Sequence, residues 1–257
     1  MRLNQYIAHH TSYSRREADR LILEGRVNIE KNKATSTSIL QEHQRVFIDG
    51  KKITPKEHYT CIVYHKPKGE IVSKKDERGR RVVYDSLESA FKHFVSVGRL
   101  DFASEGVLIL TDNKPIAQAL MQSSLERTYL LKLSGVLKEE VFEAMQKGLK
   151  CEDARAGGHQ RSKIVAMDFA PFTHYEVIKN HRPYTKLKVS INEGKNRELR
   201  RFFAFFGLEV LDLKRVSYGF VHLNALPCGK SRFFTKEEYK ALRHFMQQQT
   251  LGDIKNQ

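Results

Sequence analysis

The sequence has few cysteines and shows no local metal-binding motif. Its three cysteines, Cys61, Cys151 and Cys228, lie far apart, and none belongs to a C-x-x-C pair. This spacing excludes a disulfide framework and a paired-cysteine zinc site, and it suits a reducing compartment. The eleven histidines are scattered and no H-E-x-x-H motif occurs, so the sequence predicts no bound metal.

Long apolar segments are missing as well. No run approaches the roughly 20 apolar residues that a membrane span requires. Residues 1–5 lack the apolar core of a secretory signal. We therefore expect a cytoplasmic protein.

Positive charge, by contrast, is abundant. The chain carries 45 Lys and Arg residues against 30 acidic ones, a net charge of +15 and a pI near 9.7. Such an excess favours a polyanionic partner, most often nucleic acid, although an acidic membrane surface or a merely basic soluble protein also fits the charge. A hydrophobic content of 40% with 15 Phe and 10 Tyr is enough for a real core and excludes wholesale disorder.

Residues 1–54 have the pattern of a small α+β domain. The run from Ser14 to Glu17 is a capping box, in which each residue satisfies a free backbone N–H of the other. Alternating apolar residues downstream predict short strands joined by a tight turn at Asp49-Gly50. Several basic residues cluster on the capped helix, where they form either a solvated face or a phosphate-binding surface.

The rest of the chain divides into a polar linker at 54–58, a large domain from 59 to 246 and a tail from 247 to 257. The large domain mixes the periodicities of strands and helices. For example, residues 107–110 read as a buried strand and residues 116–121 begin a helix. The tail is expected to fray.

The sharpest local feature is the loop from Gly98 to Gly106. Glycines bracket a short segment that contains Arg99, Asp101 and Ser104, and an apolar strand follows at once. Such a loop can hold Asp101 on a rigid mount, which nucleophilic or general-base chemistry requires. Taken alone, an ordinary turn in which Asp101 pairs with Arg99 or caps a helix explains the spacing at least as well.

A second feature is the basic run from Glu193 to Arg201. At about 100° per residue, Leu199 belongs to an apolar stripe, while Arg197 and Arg201 fall opposite it and should meet solvent or phosphate. Arg200 lies at the edge of the buried face, where an arginine usually has a carboxylate partner because burying an unpaired guanidinium is costly. Such a pair is either a structural ion pair or one in which the arginine keeps a catalytic aspartate ionised.

Two weaker features complete the set. Tyr129 stands near the start of a predicted strand, where a tyrosine is most often core, although its ring could also stack on an extruded base. Lys66 opens a basic turn that ends at Gly69. Neither feature identifies a function by itself.

Together, these segments resemble the RsuA-type pseudouridine synthases, which modify ribosomal RNA. Residues 2–4 and 14–19 are similar to the S-four RNA-binding domain, named for a small-subunit ribosomal protein. The later segments come in the order that this family keeps, namely 66–69, 98–111, 127–129, 193–201 and 229–235. Five motifs in that order are far more specific than any one of them, and they favour a catalytic role for Asp101 over a plain turn.

The resemblance implies an α+β fold with two parts. A small N-terminal α+β RNA-binding domain would precede a catalytic domain with a mixed, mainly antiparallel sheet, flanking helices and a central cleft. The implied reaction isomerises uridine to pseudouridine without a cofactor or a metal. The implied partner is structured ribosomal RNA within an assembling subunit, with large-subunit RNA slightly favoured, and the expected state is a monomer.

Residue roles follow from the same resemblance. Asp101 matches the essential aspartate, Tyr129 matches the tyrosine that stacks on the target base, and Arg200 matches the basic partner of the aspartate. The residues expected to contact the substrate are Arg99, Leu199 and Lys66. The residues expected to bind RNA phosphates are Arg2, Arg15, Arg16, Arg20, Arg26, Arg197 and Arg201.

The sequence departs from the family pattern at one turn. Family members often read Asn-Asp-Gly after the strand, whereas this chain has Asp112-Asn113-Lys114. The turn loses its glycine, although Asn113 can still adopt a left-handed conformation, and we expect no loss of activity.

Two other functions compete with this interpretation. A non-catalytic RNA-binding protein with a synthase-like body would lack the aspartate or the tyrosine, but Asp101 and Tyr129 are both present. A metal-dependent RNA nuclease would need several carboxylates or histidines that converge on a cation, and the sequence shows no such cluster.

Overall fold

A computed structural model describes residues 2–11, 13–41, 43–54, 58–159 and 161–255, without the side chains of 250–255. Within these ranges the chain forms seven α-helices, one 3₁₀ turn and fifteen strands. The helices are α1 (Leu3–His10), α2 (Arg15–Leu23), α3 (Val83–Ser86), α4 (Lys114–Gln122), α5 (Glu139–Lys147), α6 (Glu198–Phe205) and α7 (Lys236–Lys255).

The strands fall into three sheets. A four-stranded sheet contains β1 (Val27–Ile29), β2 (Asn32–Lys33), β3 (Val46–Ile48) and β4 (Lys51–Lys52). A two-stranded sheet pairs β9 (Leu149–Cys151) with β10 (Met167–Phe169). The large sheet contains β5 (Cys61–Lys66), β6 (Val95–Ser96), β7 (Glu105–Thr111), β8 (Arg127–Ser134), β11 (His174–His181), β12 (Tyr184–Ile191), β13 (Val210–Tyr218), β14 (Val221–His222) and β15 (Ser231–Phe233).

The N-terminal helices and the four-stranded sheet share a core of their own. Leu3, Ile7 and Leu21 pack there with Val46, and every buried member of this cluster lies between residues 3 and 53. The predicted capping box is present at the start of α2. The predicted turn at Asp49-Gly50 also forms: both residues have positive φ, as a two-residue hairpin between β3 and β4 requires.

The large sheet is mixed and mainly antiparallel, which confirms the predicted fold class. Its strand order is β11-β12-β8-β13-β7-β5-β15, with β14 added to β13 and β6 added to β7. Within this sheet only β13 and β7 pair in parallel. At that junction Gly106 has φ +114°, and a Cβ there would lie 2.1 Å from the Arg215 carbonyl oxygen. Glycine is therefore required where these two strands converge.

Strand β7 is buried on both faces, which explains its continuous apolar sequence. Val107 and Ile109 pack in one cluster with side chains of α4 and α7. Leu108 and Leu110 alternate to the other face and pack with Tyr64. A third cluster joins β8, β12 and β13 to α5 and α6. The loop that carries Asp101 leads directly into this strand.

Lys114 connects the N-terminal helices to the large domain. Its Nζ donates to the carbonyl oxygens of Ala8, Thr11 (3.3 Å) and Tyr13 (3.1 Å), at the end of α1. Asn113 has an extended backbone, φ −106°, and its side chain accepts from the Ile116 N–H as the N-cap of α4. Asn113 therefore does not use the left-handed conformation that was open to it, because a helix starts at Lys114 and an N-cap is extended.

The predicted linker and tail lie near the limits of what is described. Residues 55–57 of the linker lie outside the described residues. The backbone is helical as far as Lys255, beyond the point near residue 247 where the sequence predicts fraying. No helix in the described ranges is long and apolar enough to cross a membrane.

Candidate active site

A cavity of about 680 Å³ opens beside the loop that precedes β7. Six of the site residues predicted from the sequence line it together, namely Arg99, Asp101, Tyr129, Arg197, Leu199 and Arg200. They come from three separate places, the loop before β7, strand β8 and the start of α6. The size is within the range of ligand pockets and suits one nucleotide rather than a helix.

The buried Lys66 holds the backbone of Asp101 in place. The Lys66 Nζ donates to the carbonyl oxygens of Asp101 (3.1 Å), Ser104 (2.8 Å) and Pro67 (2.8 Å). The Ser104 N–H also donates to the Asp101 carbonyl oxygen at 3.0 Å. These hydrogen bonds fix the loop backbone and thereby the position from which the Asp101 side chain extends.

Lys66 itself does not line the cavity, so its predicted contact with the substrate is wrong. The residue is completely buried, because it ends the buried strand β5 and its ammonium is directed at three carbonyl oxygens. Burial lowers the pKa of Lys66 to about 8, although the nearby acids Glu70 and Asp101 oppose the shift. Lys66 holds the backbone of the loop that carries Asp101.

Two guanidinium groups flank the Asp101 carboxylate. Arg200 Nε and Arg197 Nη1 each lie 3.6 Å from Asp101 Oδ2, and the Asp101 side chain is one third exposed to the cavity. Arg200 is held in place by bonds from Nη1 to the Val210 carbonyl (2.9 Å) and from Nη2 to Ser104 Oγ (3.2 Å). The carboxylate neighbour that the sequence predicts for Arg200 is therefore Asp101.

The positive charge of Arg200 is poorly solvated. Burial is the main effect that lowers the pKa of its guanidinium, and the charge of Arg197 adds to it, while Asp101 acts in the opposite direction. A guanidinium still remains protonated at neutral pH. Asp101 thus faces a permanent positive charge in a partly desolvated cavity, where charge–charge interactions are stronger than in water.

Arg197 does not point away into solvent as predicted. It precedes α6 with a left-handed backbone, φ 53°, and its Nε donates to the Gly157 carbonyl at 2.7 Å. The helical projection fails for this residue because α6 begins only at Glu198. The structure places Arg197 beside Asp101.

Arg201 is completely buried, so its predicted role as a phosphate contact is wrong. Its Nε donates to the Asn196 carbonyl (3.0 Å) and its Nη2 to Ser162 Oγ (2.8 Å), and its Nη1 donates to the Ala154 carbonyl. The loop that carries Ala154 and Ser162 covers the face of α6 opposite its apolar stripe. A projection of one helix cannot reveal a loop that packs on it from elsewhere in the chain.

The walls of the cavity come from Tyr129 and Leu199. Tyr129 lies on β8, paired with Val189 of β12 and Arg215 of β13, and both Tyr129 and Leu199 are buried. Arg99 is exposed at the rim. The cavity therefore combines an acid, an aromatic ring and an apolar wall with an exposed cation at its mouth.

Three further residues line the cavity that were not among the predicted site residues, namely Arg127, Arg215 and Tyr218. Arg127 Nη2 donates to the Tyr218 hydroxyl at 2.8 Å. Arg215 is buried and its Nε donates to the Val107 carbonyl at 2.8 Å, while its Nη2 has no hydrogen-bond partner among the described residues. Arg127 stood next to Tyr129 in the sequence, but Arg215 and Tyr218 lie on β13, whose irregular pattern concealed the strand.

Glu198 adds an unusual acid to the cavity wall. Burial raises the pKa of its carboxyl to about 7, and the charge of Glu193 raises it further, while the Lys195 N–H bonded to Glu198 Oε2 at 2.9 Å opposes the shift. This carboxyl is therefore protonated in part at neutral pH.

The part of the chain that contains Asp101, Tyr129 and Arg200 matches a known protein family. Residues 59–205, more than half of the chain, match the family model described as RNA pseudouridylate synthase. The chain belongs to this family. As an RNA pseudouridine synthase it is an isomerase, and RNA is its partner.

Individual synthases resemble this chain along most of its length. It is 56% identical over 248 residues to an uncharacterized RNA pseudouridine synthase of Helicobacter pylori (strain ATCC 700392 / 26695), covering 96% of this chain and 95% of that protein. It is 31% identical over 245 residues to the ribosomal large subunit pseudouridine synthase B of Bacillus subtilis (strain 168), covering 94% and 95%. A crystal structure of a pseudouridylate synthase shares the fold, with a TM-score of 0.64 at 23% identity over 94% of this chain and 99% of that one.

Proposed function

We propose that this synthase isomerises a specific uridine of ribosomal RNA, with large-subunit RNA as the favoured target, and that it is an RsuA-type enzyme. The observation that carries the proposal is the Asp101 carboxylate, which meets Arg197 and Arg200 in a cavity walled by Tyr129. Relatives named ribosomal large subunit pseudouridine synthase B, at 31% and 35% identity, support the choice of RNA.

Asp101 acts on the sugar of the target nucleotide. The C1′–N1 bond breaks, the base rotates within the cavity, and a C1′–C5 bond forms. The C5 proton is then lost and N1 gains one, so the product has the same atoms as the substrate. Asp101 either attacks the sugar or stabilises the positive charge that develops as the glycosidic bond breaks.

The cavity requires a base that has left its stack. Extrusion from a stacked RNA costs a few kcal/mol, which protein contacts must offset. Tyr129 stacks on the extruded base and Leu199 bounds it on the apolar side. Arg99, exposed at the rim, contacts the phosphate of the same nucleotide. In this arrangement Arg197 and Arg200 bind Asp101 and not the RNA backbone.

The N-terminal residues 2–54 act as an S-four-like RNA anchor. Arg2, Arg15, Arg16 and Arg20 are exposed on or beside its two helices. Arg26, which the sequence also assigned to phosphate binding, makes two bonds of 2.9 and 2.6 Å to Asp49, so its charge is already compensated. Lys114 ties α1 to α4 and thereby orients the anchor relative to the cavity.

The experiment that tests the target is a comparison of pseudouridines in ribosomal RNA from cells with and without the gene. Carbodiimide labelling and primer extension locate each pseudouridine. We expect one large-subunit site to disappear without the gene and to return when the gene is restored. An unchanged ribosomal RNA pattern, with a change in transfer RNA instead, would refute the proposed target and leave the synthase activity itself standing.

A further inference from the structure

A cluster of potential metal ligands lies outside the catalytic cavity. A ring nitrogen of His65, a carboxylate oxygen of Glu105 and the Sγ of Cys228 all lie within 4.8 Å of one another. None of these three residues lines the cavity that contains Asp101. They come from β5, from the first residue of β7 and from the loop before β15, so only the folded chain brings them together.

His65 is prepared for metal binding by its own contacts. The residue is 4% exposed, and its Nδ1 lies 2.8 Å from the Leu226 carbonyl oxygen. A carbonyl oxygen can only accept, so Nδ1 carries the ring proton and Nε2 carries a lone pair. This Nε2 is buried without a hydrogen-bond partner among the residues that the structure describes. A carbonyl that fixes the histidine tautomer in this way is a common feature of metal sites.

The loop that carries Cys228 is attached to the same residue. The His65 N–H donates to the Lys230 carbonyl at 2.9 Å, and the Gly229 N–H donates to the His65 carbonyl at 2.8 Å. Cys228 is exposed, whereas Cys61 and Cys151 are buried. The thiol therefore lies next to His65 because of the backbone and remains accessible from solvent.

Glu105 completes the set while keeping a second contact. Its Oε1 lies 3.4 Å from the Lys214 Nζ. A carboxylate has two oxygens, so this ion pair leaves one of them for a metal. The side chain is about one quarter exposed and can rotate towards the other two ligands.

We propose that His65, Glu105 and Cys228 bind a zinc-class divalent cation through Nε2, a carboxylate oxygen and a thiolate. Nitrogen, sulfur and oxygen ligands together favour a cation of borderline softness over Mg²⁺ or Ca²⁺. Around zinc, bonds of about 2.0 to 2.3 Å place tetrahedral ligands roughly 3.5 Å apart, so the cluster closes by about 1 Å on binding. The thiol proton is released to solvent, and water takes the fourth position.

A cation bound at this site would crosslink the segments next to the loop that carries Asp101. Glu105 directly follows Ser104, whose carbonyl is bound by Lys66, and Lys66 directly follows His65. A cation at this point joins β5, β7 and the Cys228 loop without touching the substrate. We therefore expect it to raise thermal stability, since a ligand that binds only the folded chain stabilises it.

Cys228 supplies a direct measurement on the full-length protein. Because the other two thiols are buried, a chromogenic disulfide reagent reports Cys228 in the native state. We expect equimolar Zn²⁺ to slow this labelling at least about tenfold, an effect that substitution of His65 or Glu105 should remove. Co²⁺ should give a thiolate-to-cobalt absorption band that C228S lacks. Excess Mg²⁺ should give no protection.

Matched variants separate the site from a thiol that binds zinc alone. E105Q and H65Q should each lose the zinc protection, while E143Q, which removes an exposed carboxylate on α5, and K214M, which removes only the ion pair, should retain it. If H65Q does not fold, the zinc protection of Cys228 in E105Q alone tests the proposal. Equal protection in wild type and E105Q, protection by Mg²⁺, or none by Zn²⁺ would each overturn the proposal.

Discussion

The Nε of Arg200 lies 3.6 Å from the Oδ2 of Asp101, and the guanidinium is held there by Val210 and Ser104 rather than by the aspartate. The distance is too long for a hydrogen bond. The position of Arg200 therefore does not rest on a hydrogen bond to Asp101, because Val210 and Ser104 also hold the guanidinium. This independence allows the carboxylate to be replaced without a collapse of the cavity.

We predict that D101N abolishes pseudouridine formation and leaves RNA affinity nearly unchanged. The amide keeps the shape but cannot act as a nucleophile or stabilise positive charge, so the rate should fall by at least about 10³-fold. Tritium release from RNA labelled at uridine C5 measures the rate, and filter binding measures affinity. D168N, which changes an exposed aspartate on β10, is the control. A D101N enzyme with the wild-type rate would remove Asp101 from the mechanism.

We predict that R200K retains RNA binding but loses roughly 10²-fold in rate, the scale expected from a displacement of about 1 Å in a catalytic group. A lysine keeps the charge but cannot contact Val210, Ser104 and Asp101 at the same time, because it lacks the planar fork. Single-turnover kinetics separate the rate from binding. R243K, on the exposed side of α7, is the control and should have the wild-type rate. A wild-type rate for R200K as well would show that only the charge of Arg200 matters.

We predict that R201M destabilises the protein and does not alter the salt dependence of RNA binding. The buried Arg201 donates to two carbonyl oxygens and a hydroxyl, so its loss should cost about 2–4 kcal/mol of unfolding free energy. Urea unfolding measures this cost. R161M, which changes an exposed arginine in the same part of the chain, should leave stability unchanged. A weaker dependence of RNA affinity on salt for R201M would instead show that Arg201 contacts a phosphate.

We predict that Glu198 reduces stability as the pH rises from about 4.5 to about 7. Within that window the folded state keeps the Glu198 proton and the unfolded state has released it, so unfolding becomes easier with rising pH. E198Q removes this effect. The free energy of unfolding of E198Q minus that of wild type should therefore be larger at pH 8 than at pH 4, by ~1–3 kcal/mol. E140Q, exposed on α5, is the control. Parallel pH profiles for E198Q and wild type would contradict the prediction.

We predict that R15A/R16A weakens RNA binding and flattens its dependence on salt, by up to about 1.5 in the logarithmic slope. Both arginines are exposed on α2. The control R26A/R45A removes the same net charge, but those arginines are paired with Asp49 and Glu30, so its slope should change less. Deletion of residues 1–54 should weaken binding further. Equal slopes in all three variants would exclude an N-terminal anchor.

Sequence patterns predicted best where structure is local. The capping box at Ser14 and the turn at Asp49-Gly50 form as expected, because their bonds join residues close in the chain. Strand β13 was missed, since register shifts after Val210 and Arg215 break its alternation and buried Arg215 does not resemble a core residue. Its place at the centre of the sheet depends on β7 and β8, which no local pattern contains.

The loop that carries Asp101 shows the same division between local sequence and tertiary structure. The glycine-bracketed segment, the order of the motifs and the apolar strand after Asp101 are properties of the sequence alone, and they were sufficient to indicate the family and the aspartate. The tertiary structure decided which cations surround that aspartate. It brought Arg197 to the carboxylate, buried Arg201 against Ala154 and Ser162 and directed Lys66 to carbonyl oxygens. Helical periodicity describes one element, whereas burial and pairing depend on segments that approach from distant parts of the chain.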